Sequence, residues 1–158
     1  MPSSIDGLKS ALELFNQIGM REIWQTFGYL LNARAGSMGR ETRESIALGA
    51  EVSPARYKRA IQMRTRLTQA VEEALCGVDA LATPTMPSAA PVTDATWDEE
   101  SYLGDSFWLI PFNITGHPAI TIPCHYRGLP VGLQLVGHRG ADEGLVAVAR
   151  WVESELRH

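Results

Sequence analysis

One stretch limits the choice of fold more than any other: "SPARYKRAIQMRTRLTQAVEEALCG", Ser53 to Gly77. Ser53 is a good N-cap, because its hydroxyl can accept from a free backbone N–H of the first turn. Pro54 suits the first helical position, where no N–H is needed. Gly77 suits the position after the end, where a left-handed residue closes the helix. At 1.5 Å per residue the helix between these signals is about 33 Å long. On it Tyr57, Ile61, Thr68, Val71 and Leu75 fall in one stripe. A helix of that length with one apolar face needs other elements to cover it.

The rest of the chain can supply them. Ile5, Leu8, Leu12, Phe15 and Ile18 recur at helical spacing, with Gly19 as the expected stop. Ile23, Trp24, Phe27, Leu30 and Leu31 form a second stripe, which Gly36 and Gly39 break. A third short helix is expected from about Glu41 to Leu48. After the long helix, "VDALATPT" reads as a short buried strand stopped by Pro84. From Pro84 to Gly104 the chain is loop-like, and connections that long are often functional. Asp105 or Ser106 can cap a short helix through "FWLIPF". Ala119–Ile122 and Val131–Val136 read as strands paired in a hairpin, with Gly128 and Pro130 in the connection. Asp142 can cap a last helix with Leu145, Val148, Ala149, Val152 and Leu156 on one face. Helices lead and strands are few and late, so the expected class is α/β or α+β, one unit over residues 1–158. Its helical N-terminal part covers about residues 4–49, and the remainder about 53–158. So small a sheet hints that partner strands are missing.

Bulk properties exclude several functions. A chain of 158 residues has room for one core and buries roughly 70% of its extended surface. The formal net charge is −4, which gives no reason to expect nucleic acid. No apolar run approaches the roughly 18 residues of a membrane span. The N-terminus lacks the basic-then-apolar pattern of a signal peptide. Cys76 and Cys124 make neither a disulfide framework nor a zinc motif, so a reducing, cytoplasmic setting is expected.

Few residues stand out for chemistry. Arg64 lies in the middle of the long helix's apolar stripe. A guanidinium facing a core needs an anionic partner or a polar cavity, unless its head snorkels to solvent. Gln134 shares a strand face with Gly132 and Val136, where it meets either solvent at an edge or a ligand admitted by the missing side chain of Gly132. His117, His125 and His138 cluster near the hairpin without metal-site spacing. Cys124 and His125 point to opposite faces of an extended chain, which disfavours a nucleophile pair. No phosphate loop, Gly-x-Ser-x-Gly elbow or His-Glu-x-x-His occurs. No cofactor is expected.

Four segments in order carry a specific resemblance: "DALATPTMPSAAP" (79–91), "PFNITGHPAITIPC" (111–124), "GLPVGLQLVG" (128–137) and the closing helix. Together with the long helix before them they resemble the C-terminal part of amidase signature enzymes, over about Arg43 to the end. The resemblance implies a mixed sheet with a hairpin, covered by helices. It implies carboxamide hydrolysis, or release of ammonia from glutamine as in amidotransferase A subunits. It also implies a Ser–Ser–Lys triad whose Gly/Ser-rich signature does not occur in this sequence, so no catalytic residue carries over. On the substrate side, Arg64 stands where those amidotransferases hold a substrate carboxylate. Asp105 stands one residue out of register from a second contact, and Asn113 and Thr115 lie in the Asn-x-x-Gly segment. His125 departs from the usual Gly at its position. The implied role is the pocket wall and part of the sheet of an amidase, inactive alone, taking a small amide only with the missing part. The alternative is a non-catalytic partner that docks onto an amidase N-terminal half or self-associates. An unrelated enzyme built on His117, Cys124 and His138 is a third reading. The resemblance and Gly132 together imply a close approach of that missing half at the strand.

Overall fold

A computed structural model describes residues 11–90 and 106–156. Its longest element is the expected helix. It spans Pro54–Leu75 (α4), with the Ser53 side chain accepting from the Arg56 N–H and with Gly77 at φ +78°. Its buried stripe is Ala60, Leu67, Val71 and Leu75. Val71 and Leu75 are fully covered, and burying a side chain of that size contributes about 1.5–3 kcal/mol.

Three helices precede it. Ala11–Phe27 (α1) is one helix running straight through Gly19, where the sequence predicted a stop. Nothing crowds Gly19, and a lone glycine costs a helix only about 1 kcal/mol. Packing of Ala11, Leu14 and Ile18 into the core outweighs that cost. The break comes at Gly28 instead, followed by a single turn, Leu30–Ala33 (α2). The next helix is Arg40–Glu51 (α3), longer than predicted at both ends. Residues 4–10 of the predicted first helix lie outside the described residues.

The strands Leu81–Pro84 (β1), Ala119–Tyr126 (β2) and Leu129–Val136 (β3) form an antiparallel sheet in the order β1-β3-β2. The hairpin joining β2 and β3 is tighter than predicted. Only Arg127 and Gly128 turn the chain, at φ 51° and 81°, and Pro130 lies within the strand. Two successive positive φ values match the twist of the flanking strands, which favours this two-residue turn. Between β1 and β2, a 3-10 turn at Ser106–Trp108 leads into the short helix Ile110–Thr115 (α5). The closing helix is Asp142–Leu156 (α6). Asp142 sits inside its first turn rather than capping it, where a carboxylate favours the helix dipole. Leu156, predicted on its apolar face, is exposed.

The core has two parts. α1, α4 and α5 meet around Leu67, Val71, Phe112 and Val136. α6 covers one face of the sheet through Leu145 and Ala149 against Ile122 and Leu135. Period-two alternation explains the division. Leu133 and Leu135 face α6, while Gly132, Gln134 and Val136 face the other way.

Candidate functional site

Arg64 lies on α4 one turn beyond Ala60 and three residues before Leu67, at the margin of the buried face. It is half-buried. Among the described residues no carboxylate comes within 4.0 Å of its guanidinium. It opens onto a cleft of about 890 Å³, shared with Thr68 and Glu72 of α4, Asn113 and Thr115 of α5, and Arg139 after β3. The sequence stripe placed Arg64 in the middle of the covered face; the structure places it at the edge of that face, lining this polar cleft.

Asn113 and Thr115 reach this cleft because α5 stops abruptly. Gly116 adopts φ 72° and its N–H bonds the Phe112 carbonyl at 2.9 Å, closing the helix in the left-handed manner. Pro118 then holds His117 extended and launches β2. Asn113 is exposed; Thr115 is buried. The Thr115 hydroxyl donates to the Pro111 carbonyl at 3.0 Å and lies 2.8 Å from His117 Nδ1. His117 Nε2 lies 3.4 Å from Glu72 Oε1. Desolvation lowers the His117 pKa from 6.5; the Glu72 carboxylate opposes that, and Arg139 adds to it. Asp105, the fourth candidate contact, lies outside the described residues.

The remaining candidates take structural places. Gln134 is buried in the central strand, and its Nε2 donates to Thr83 Oγ1 at 3.0 Å and to the Trp108 carbonyl at 2.9 Å. It therefore ties three segments together, and it is neither an edge residue nor open to a ligand. Gly132 does permit a close approach, but by this chain itself. A Cβ there would stand 2.5 Å from Thr85 Oγ1 and 2.7 Å from Thr121 Cγ2. The expected approach of another polypeptide at this position is replaced by those two threonines, whose hydroxyls pair at 3.1 Å. Thr85, Met86, Ser88, Ala89 and Ala90 at the start of the long loop line a separate cleft of about 530 Å³ over Val131 and Gly132. His138 Nε2 bonds the Val78 carbonyl at 3.0 Å. Among the described residues no three His, Cys, Asp or Glu side chains are placed to hold a metal ion, and no helix is long and apolar enough to cross a membrane. Sequence reasoning missed Arg139 and the Glu72–His117 approach. Both depend on α4 passing beside the end of β3, which no local pattern encodes.

The amidase family model matches residues 3–146. The chain belongs to the amidase family. Among its relatives is the glutamyl-tRNA(Gln) amidotransferase A subunit of Symbiobacterium thermophilum, 33% identical over 97% of this chain and 32% of that protein. The corresponding protein of Thermotoga maritima is 31% identical over 94% of this chain and 31% of its own length. In structure, the family fold is shared with a crystallised amidase at a TM-score of 0.83 and 28% identity, covering 95% of this chain and 36% of that one. The Thermotoga maritima protein superposes with a TM-score of 0.60 at 28% identity, over 93% of this chain and 37% of its own. The chain thus spans about a third of the length of the amidase relatives it matches.

Proposed function

We propose that this chain forms the substrate-facing C-terminal part of an amidase signature amidohydrolase. In this reading a serine nucleophile and its lysine base lie on sequence outside this chain, and the chain alone does not turn over substrate. The parent reaction is acyl transfer from an amide to serine and then to water. Arg64 holds an anionic group of the amide, because a guanidinium presents several donors in a planar fork that matches a carboxylate. Asn113 offers an amide beside it, and Thr115 shapes the wall. The observation that carries the reading is the convergence of Arg64 with Asn113 and Thr115 on one polar cleft.

The test is an amide-hydrolysis assay of the chain alone, then mixed with an amidase N-terminal part carrying the nucleophile. No turnover is expected alone, and turnover is expected in the mixture. Turnover by the isolated chain that needs no added part would sink this reading.

A second reading is a non-catalytic partner that docks onto an amidase half or self-associates. Exposed Phe27, Leu48 and Trp151 favour it, together with strand β2, whose only pairing among the described residues is with β3. Size exclusion with light scattering decides here, and a well-behaved monomer that ignores added amidase halves argues against it.

A further inference from the structure

His117 is buried, polar and titratable, and nothing in the proposed chemistry uses it. Its side chain is fully covered, and its Nε2 has no hydrogen-bond partner among the described residues. The other nitrogen explains why. Thr115 Oγ1 has one proton, and the Pro111 carbonyl, which can only accept, lies 3.0 Å away. When the hydroxyl proton goes to Pro111, the oxygen is free to accept from His117 Nδ1 at 2.8 Å. In that arrangement the neutral ring carries its proton on Nδ1 and has a lone pair on Nε2. That lone pair faces the Glu72 carboxylate 3.4 Å away, and two acceptors cannot bond each other.

We propose that His117 is a positioning residue that sets the α5 wall of the cleft through Thr115 and, on taking a proton at Nε2, draws in Glu72 of the opposite wall. The proton comes from solvent, and the only covalent bond made is N–H. Protonation turns the contact between two acceptors into a charge-assisted hydrogen bond between α4 and the α5–β2 junction. The charged groups facing the ring are Glu72 on α4, which favours the proton, and Arg139 and His138 after β3, which oppose it. Asn113 and Glu72 line the same cleft, so its width follows the charge on a ring that never touches ligand. The inference rests on the proposed role of that cleft, but its test needs no ligand, so either can fail without the other.

The test is a pH titration by NMR of the whole chain with nitrogen-labelled histidine. At neutral pH, His117 is expected with Nδ1 protonated and Nε2 bare. On acidification Nε2 takes up its proton below the free-histidine value, and the Asn113 and Glu72 backbone signals move with the same midpoint. Thr115→Val removes the acceptor, so the neutral ring is expected to move its proton to Nε2 and donate to Glu72. His117→Asn keeps a donor near the Nδ1 position for Thr115, and in it the movement of the Asn113 and Glu72 signals at the His117 midpoint should vanish. A native ring with its proton on Nε2 overturns the proposal, as do Asn113 and Glu72 signals that ignore the His117 titration. The first of these outcomes needs no variant, so a substitution that fails to fold leaves the proposal testable.

Discussion

Single side chains act here through what they leave unpaired or fully pair. In the proposed reading Arg64 meets an anion. Hydrogen bonds to charged groups contribute about 1.5–3 kcal/mol, so Arg64→Ala in the reassembled amidase should raise KM for a carboxylate-bearing amide by roughly 10- to 100-fold. For an uncharged amide KM should stay close to native. An equal rise for both amides removes the assignment. Gln134 is the opposite case, with two donated bonds inside the sheet. Gln134→Leu strands the Trp108 carbonyl and should cost about 1–3 kcal/mol of stability, read as a lower urea midpoint. An unchanged midpoint would show that solvent reaches the carbonyl. The sequence singled out both residues as unusual, and for Gln134 its hydrogen-bond partners assigned the role. Gln134 had two readings until the central strand was in view.

At the level of elements, close approaches govern the packing. α3 crosses α1 at Gly49, where a Cβ would stand 2.0 Å from the Met20 carbonyl oxygen. Backbone cannot yield as a side chain can, so Gly49→Ala should destabilise the chain by about 1–3 kcal/mol or force the helices apart. Thermal unfolding measures this, and a native Tm would show that α3 slides freely. Ser53 makes a smaller contribution. Its oxygen accepts from the Arg56 N–H at 3.3 Å, and Ser53→Ala should cost about 1 kcal/mol. α4 was legible from sequence end to end, because cap, proline and glycine all agree with its period. α1 was not, because the sequence offered Gly19 as a stop and only tertiary packing carried the helix through it. The hairpin was legible as a pair of strands, but its turn was not. Pro130 resembles a turn residue, and only pairing shows it at a strand position opposite His125.

Across the molecule, burial of His117 links folding to pH. Its folded-state pKa lies below the 6.5 of the free side chain, so the unfolded chain binds the proton more readily. This contribution to stability is complete above 6.5 and is lost as the pH falls through the folded-state value. Urea unfolding should show a midpoint that drops on acidification below about 6.5, with a shallower drop in His117→Asn. A native midpoint that rises on acidification over that range contradicts the sign. Glu72→Gln removes the attraction that favours the proton, so it should lower the His117 pKa further.

The sequence by itself determined the class of the fold, the long capped helix, the late hairpin and the family, because each is written in local periodicity, turn chemistry or contiguous motifs. Tertiary structure alone decided which residues share the cleft. Arg64 shares a cleft with Asn113 and Arg139 only because α4, α5 and the end of β3 pack together. Contacts across that much chain are set by burial of a common core, which no local pattern records.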